Sequence, residues 1–130
     1  MKHEFFIEKR KIIAFAQIKG INDIMEFKFI LDTGSSKTII DERVATWLGF
    51  DLKRLKTGDK LMTAGGGTNS KILKLPKFSL FGKEIVNFEV NVIKFPMQIT
   101  LVADGLIGMD FLLQLQNIKF DFDAKTIETD

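Results

Sequence analysis

The chain has 130 residues, 45% of them apolar, with thirteen phenylalanines, no cysteine and a formal net charge of +2. That is enough apolar material for one core without metal or disulfide support, so one domain spanning 1–130 is expected, and a disulfide framework or thiol nucleophile is excluded. The mild basic excess lies largely in Lys53, Arg54, Lys56, Lys60, Lys71, Lys74 and Lys77, interleaved with apolar residues; it reads as a solvated face, and no nucleic-acid partner is expected.

Met1 to Lys11 breaks its apolar residues with Glu8 and the triplet Lys9-Arg10-Lys11, so no signal-peptide core is expected and the terminus reads as frayed. No run approaches the roughly 20 apolar residues that span a bilayer. A soluble cytoplasmic protein with no membrane partner is the expectation.

The short runs of Phe, Ile and Val predict a mostly β chain with one or two short helices. A strand is predicted over Lys11 to Lys19, a turn at Gly20-Ile21-Asn22-Asp23, and a second strand from Met25 to Leu31, where Glu26 and Lys28 alternate with Phe27, Phe29 and Leu31. This strand runs into Asp32-Thr33-Gly34-Ser35-Ser36. After Thr38-Ile39-Ile40, Asp41 is a good N-cap and Gly49 a good stop for a helix presenting Val44, Trp47 and Leu48 on one apolar face.

From Lys60 to Leu75 the pattern predicts a hairpin whose tip, Ala64-Gly65-Gly66-Gly67-Thr68, holds three glycines. Strands follow at Lys77 to Phe81 and Ile85 to Ile93. Ala103 to Leu113 reads as a buried strand reaching Gly108, then a short helix with Asp110 near its start. Ile118 to Phe122 and Thr126 to Glu128 predict a closing hairpin around Asp123-Ala124-Lys125.

The tripeptide Asp32-Thr33-Gly34 is short enough to arise by chance, and its context makes it informative. An acid placed at the end of the apolar run Phe29-Ile30-Leu31, followed by a glycine and hydroxyls, sits on a tight loop at the edge of a hydrophobic wall. Downstream come the glycine-rich hairpin and then Leu106-Ile107-Gly108 ahead of a short helix. In this order, from about residue 11 to residue 123, these elements resemble the retropepsin family of aspartic proteases.

The resemblance implies a single-lobe acid-protease β-barrel with a glycine-rich flap hairpin. It implies that Asp32 is the catalytic aspartate, that Thr33 and Gly34 complete the active-site loop, and that the Ser35 hydroxyl supports the carboxylate. Ala64, Gly65, Gly66, Gly67 and Thr68 match the flap that covers a peptide, and Leu106, Ile107 and Gly108 match the strand threading behind the loop. Peptide hydrolysis needs a base to activate water and an acid for the leaving group, which two carboxylates sharing a proton supply. The chain has one Asp-Thr-Gly, so the second Asp32 would come from an identical subunit. The expected partners are therefore a second copy and an extended peptide or protein substrate, with no cofactor and no metal.

Some features depart from the family pattern. Tyrosine is absent, so a flap tyrosine like that of two-lobed relatives is missing. Retroviral enzymes knit their dimer from both termini, whereas this C-terminus reads as a local hairpin. Asp104 either enters the cleft or, as favoured here, caps the turn before Gly105.

Other chemistry fits less well. His3 is the sole histidine, and no His, Cys or carboxylate set has metal-ligand spacing. Gly65-Gly66-Gly67 lacks the Lys-Ser/Thr pair and helix of a phosphate loop, and Ser35 and Ser36 have no histidine base. Two further readings make different predictions. A catalytically silent dimeric peptide-binding or scaffold module of the same fold would have no need of paired carboxylates. A small nucleic-acid-binding barrel would bind with salt-dependent affinity through exposed aromatics.

Overall fold

The computed structural model of the protein describes residues 1–63 and 66–130, and at Thr63 the backbone alone. In chain order the strands are β1 (Lys2–Glu4), β2 (Phe6–Glu8), β3 (Lys11–Lys19), β4 (Ile24–Leu31) and β5 (Ile39–Asp41). Helix α1 (Glu42–Trp47) and a 3₁₀ turn at Leu52–Arg54 lead to β6 (Lys56–Thr57), β7 (Leu61–Thr63), β8 (Gly66–Thr68), β9 (Lys71–Leu80) and β10 (Lys83–Ile93). Then come α2 (Met97–Thr100), β11 (Gly105–Ile107), α3 (Met109–Leu112), a 3₁₀ turn at Leu113–Leu115, β12 (Ile118–Asp121) and β13 (Thr126–Thr129). The chain is mostly β, 51% strand and 16% helix, and no helix among the described residues is long and apolar enough to cross a membrane.

Six strands close a barrel in the order β3, β4, β11, β5, β10, β9, because β9 pairs back onto β3 through Gln17↔Ser79, Ile18↔Phe78 and Lys19↔Lys77. Strict alternation on β3 sends Ala14, Ala16 and Ile18 inward and leaves Phe15, Gln17 and Lys19 outside. The interior is filled by an aromatic cluster in which Phe78 meets Phe29, Phe88 and Phe111 at ring-centroid separations of 5.7, 5.1 and 5.4 Å. The end of β4 is covered on both faces: Phe29 points into this cluster, and Ile30 packs with Ile13, Val102 and Ala103 on the other side. Burial on both faces explains why alternation gives way to an unbroken apolar run just before Asp32.

The structure revises several details of the sequence reading. Residues 71–80 form one strand, where a hairpin arm ending at Leu75 and a separate strand from Lys77 are predicted; the hairpin expected around the glycines is the shorter β7–β8 pair. Pro76 is carried inside β9, with Leu75↔Phe88 and Lys77↔Val86 keeping one register on either side of it. Opposite Pro76 lies Asn87 at φ 55°, so the missing N–H falls where the ladder is already interrupted. Trp47 is not on the buried face of α1: Val44, Ala45 and Leu48 are buried, while Trp47 stays half-exposed, stacked 6.2 Å from Phe27 and with the Arg43 guanidinium 5.5 Å from its ring centroid. The N-terminus is not frayed, since β1 pairs with β13 and Met1 exchanges two 2.8 Å backbone bonds with Thr129.

Candidate active site

Asp32 stands where β4 leaves the barrel. Its N–H donates to the Ile107 carbonyl (2.9 Å), extending the parallel β4–β11 pairing by one bond. Its carbonyl accepts from Ser35 N–H (3.1 Å), closing a tight turn over Thr33 and Gly34. The carboxylate accepts the Gly34 N–H on Oδ1 at 2.9 Å. A Cβ on Gly34 would lie 3.2 Å from that same oxygen, which favours glycine here. Asp32 is half-buried, Thr33 and Gly34 are exposed, and Asp32 forms no ion pair among the described residues.

The loop is held from behind. Gly108 packs so closely against it that an added Cβ would come within 2.3 Å of the Lys37 carbonyl oxygen. The next two N–H groups, of Met109 and Asp110, donate to the Ser35 and Ser36 carbonyls at 2.8 and 3.2 Å. Asp110 returns the contact with its side chain, accepting from Thr38 N–H (3.0 Å) and the Thr38 hydroxyl (2.7 Å). The buried Thr38 hydroxyl oxygen also accepts from Gly108 N–H at 3.2 Å. Leu106-Ile107-Gly108 is thus a scaffold for the loop. The Thr38–Asp110 pair is the part of it that the sequence reading missed, although an acid two residues after the glycine and at a helix start is a usable signal.

Ser35 is oriented otherwise than the resemblance implies. Its hydroxyl donates to the Lys37 carbonyl at 2.6 Å, so it stiffens the loop and makes no bond to the Asp32 carboxylate. Asp104 is tied across to β4 and, among the described residues, makes no capping bond to the turn before Gly105: its Oδ2 accepts from Lys28 N–H (3.0 Å) while its own N–H donates to the Lys28 carbonyl (2.7 Å). Asp41 caps α1 as expected, through a 3.1 Å bond from Arg43 N–H, and also receives Phe95 N–H at 2.8 Å.

Among the expected flap residues, Gly66, Gly67 and Thr68 form β8, paired with Thr63, Met62 and Leu61 of β7. Ala64 and Gly65 lie outside the described residues. Gly66 has φ +106°, a conformation that L side chains rarely adopt, and a Cβ there would face open space. The base of the hairpin is fastened by Gly58 N–H to the Ser70 carbonyl (2.9 Å) and by the buried Ser70 hydroxyl, which donates to the Asp59 carbonyl (2.5 Å) and accepts from Asn91 Nδ2 (3.2 Å). Leu61 packs against the buried cluster of Ile39, Ile93 and Phe95, which ties the root of this hairpin to β5 and β10. No cluster of three or more His, Cys, Asp or Glu suited to a metal occurs among the described residues.

Comparison with known proteins agrees with this architecture. The chain superposes on a retropepsin-like aspartic protease from Rickettsia conorii with TM-score 0.74 and 23% identity, covering 98% of this chain and 88% of that one. It also superposes on the EIAV protease bound to an inhibitor (TM-score 0.66, 18% identity, 90% and 98% coverage). A third match is the retroviral protease-like domain of Ddi1 from Leishmania major (TM-score 0.63, 20% identity, 92% and 88% coverage). A sequence comparison with curated proteins finds no match. The fold is therefore retropepsin-like. The aspartyl protease family model matches residues 17–111, which include both the Asp32 loop and the Leu106-Ile107-Gly108 strand behind it, and the chain belongs to that family.

Proposed function

We propose that residues 1–130 act as one aspartic endopeptidase domain that works as a homodimer, with Asp32 of each subunit forming a shared catalytic dyad. The observation that carries this reading is the Asp32 loop itself: a single aspartate whose backbone N–H is bonded to β11 and whose carboxylate accepts the Gly34 N–H, with Thr33 beside it exposed. One carboxylate cannot serve as base and acid together. A second copy brought against the exposed Thr33 side would supply the other.

In the dyad one carboxylate is ionised and its neighbour protonated, because two like charges at contact do not both ionise. The ionised group takes a proton from a water lying between them, and the resulting hydroxide attacks the scissile carbonyl. The protonated group stabilises the developing oxyanion, and a proton then passes to the departing amine as the C–N bond breaks. The substrate is an extended peptide or protein segment, lying under the hairpin that carries Gly66, Gly67 and Thr68 and offering its backbone to strand-like hydrogen bonds. The chemistry uses no metal or cofactor.

The test mixes wild-type and folded Asp32→Asn chains at constant total concentration after subunit exchange, with a diverse peptide mixture as substrate. A shared dyad makes activity follow the square of the wild-type fraction, because heterodimers hold one carboxylate and one amide. A linear decline would mean one complete site per subunit and would overturn the shared dyad. A wild-type dimer that cleaves no peptide at any pH would mark a silent binding module.

A further inference from the structure

The surface next to Thr33 is an apolar groove of about 380 Å³, lined by Leu31, Thr33, Leu112, Leu113, Ile118 and Phe120. Leu113 at its rim is 70% exposed. Two of the lining residues, Ile118 and Phe120, belong to β12, so this strand lies beside the Asp32 loop. β12 is an edge strand, because the small sheet has the order β1-β13-β12 and β13 is covered on both sides by its own chain. Both termini of the chain are thereby used internally.

The hydrogen-bonding sense of the open edge can be worked out. Met1 and Thr129 exchange two bonds, so by antiparallel alternation Thr129 and Ile127 direct their backbone groups at β1, while Glu128 and Thr126 direct theirs at β12. Their partners on β12 are Lys119 and Asp121. The N–H and C=O of Phe120, between them, therefore point away from β13 to the free edge. Lys119 and Asp121 are exposed on one face, and Ile118 and Phe120 turn the other face to the groove.

We infer that two copies of this chain associate by pairing their β12 edges antiparallel, Phe120 opposite Phe120, joining two three-stranded sheets into one of six strands without exchanging termini. The inference rests on the shared-dyad reading, which requires a second copy against Thr33, and it names the surface used. A two-fold axis through the Phe120 pair lets each Phe120 donate to the other's carbonyl. It sets Lys119 opposite the partner's Asp121 twice, matching opposite charges. It also keeps both apolar grooves, and with them both Thr33 loops, on the same side of the joined sheet, where they cover each other. Exchanged termini would have to break the Met1–Thr129 and β1–β13 bonds that the chain already makes.

The chain has no cysteine, so introduced cysteines report the register directly. Lys119→Cys chains mixed with Asp121→Cys chains place thiols in directly opposed positions, with Cα atoms about 4.5 Å apart. Under mild oxidation this mixture is expected to give a disulfide-linked dimer. Either variant alone places its thiols diagonally, about 8 Å apart, and is expected to give almost none. No cross-link in the mixture, or equal cross-linking in the single variants, overturns the pairing. Sedimentation of Asp121→Lys provides a second measurement: it sets Lys opposite Lys and is expected to weaken the dimer about tenfold, with mixing against Lys119→Glu chains restoring association. An unchanged dimer constant in Asp121→Lys also overturns it. Peptide cleavage by the cross-linked dimer is assayed separately. A linked dimer that cuts nothing leaves the edge pairing standing and refutes the protease reading, whereas an active wild-type dimer that fails to cross-link does the reverse.

Discussion

Thr38→Val should be one of the costliest near-isosteric substitutions in the protein. Thr38 is fully buried, and its hydroxyl donates to Asp110 Oδ1 at 2.7 Å and accepts from the buried Gly108 N–H at 3.2 Å. Valine keeps the shape and deletes both bonds. A hydrogen bond to a charged acceptor contributes about 1.5–3 kcal/mol, and a buried N–H left without a partner costs about 1–3 kcal/mol. Because the Asp110 carboxylate keeps its bonds from Thr38 N–H and Phe111 N–H, part of the first loss is recovered, and a net cost of about 3 kcal/mol is expected. With a urea slope of about 2 kcal/mol/M for a chain of this size, the unfolding midpoint should drop by about 1.5 M at fixed chain concentration. Peptide turnover at concentrations where the variant is still folded should fall as well, because the Asp32 loop loses its rear support. A midpoint within about 0.3 M of wild type would refute the claim that this hydroxyl braces the loop.

Three further outcomes follow from other sites. Gly108→Ala drives a methyl into the Lys37 backbone at 2.3–2.4 Å and should cost about 2–4 kcal/mol in denaturant unfolding, with turnover reduced beyond what the folded fraction explains. Gly66→Pro replaces a φ of +106° with one held near −65°, at a position of the short β7–β8 pair where a Cβ faces open space; kinetics should show turnover reduced about tenfold or more with a much smaller effect on the unfolding midpoint. Burial and the nearby N-terminal charge lower the pKa of His3 below its ordinary 6.5, so the unfolded chain takes up a proton that the folded chain refuses. Stability should therefore fall as pH drops below 6.5 towards the folded value, and the decline measured by unfolding between pH 7 and 5 should be smaller in His3→Gln.

What the sequence determined by itself is mostly local. The apolar run Phe29-Ile30-Leu31 ending in Asp32-Thr33-Gly34, the N-cap at Asp41, the strand over Lys11–Lys19 and the closing hairpin around Asp123-Ala124-Lys125 are all set by neighbours a few residues apart, through alternation, capping and turn chemistry. The order of those pieces was enough to suggest a retropepsin-like chain. What only the tertiary structure decided depends on residues distant in sequence. Thr38 meets Asp110 across 72 positions, Gly108 comes so close to the Lys37 backbone that no side chain fits, and Pro76 is tolerated because Asn87 opposite it has already left the ladder. Trp47 satisfies the helical spacing of a core residue yet stays half-exposed, because the space under α1 is already filled by Val44, Ala45 and Leu48. The N-terminus, polar and unpromising as a segment, is ordered by β13, a partner supplied from the far end of the chain. Periodicity and propensity describe what a segment can bury or bond, and the closing of the barrel determines which distant groups it meets.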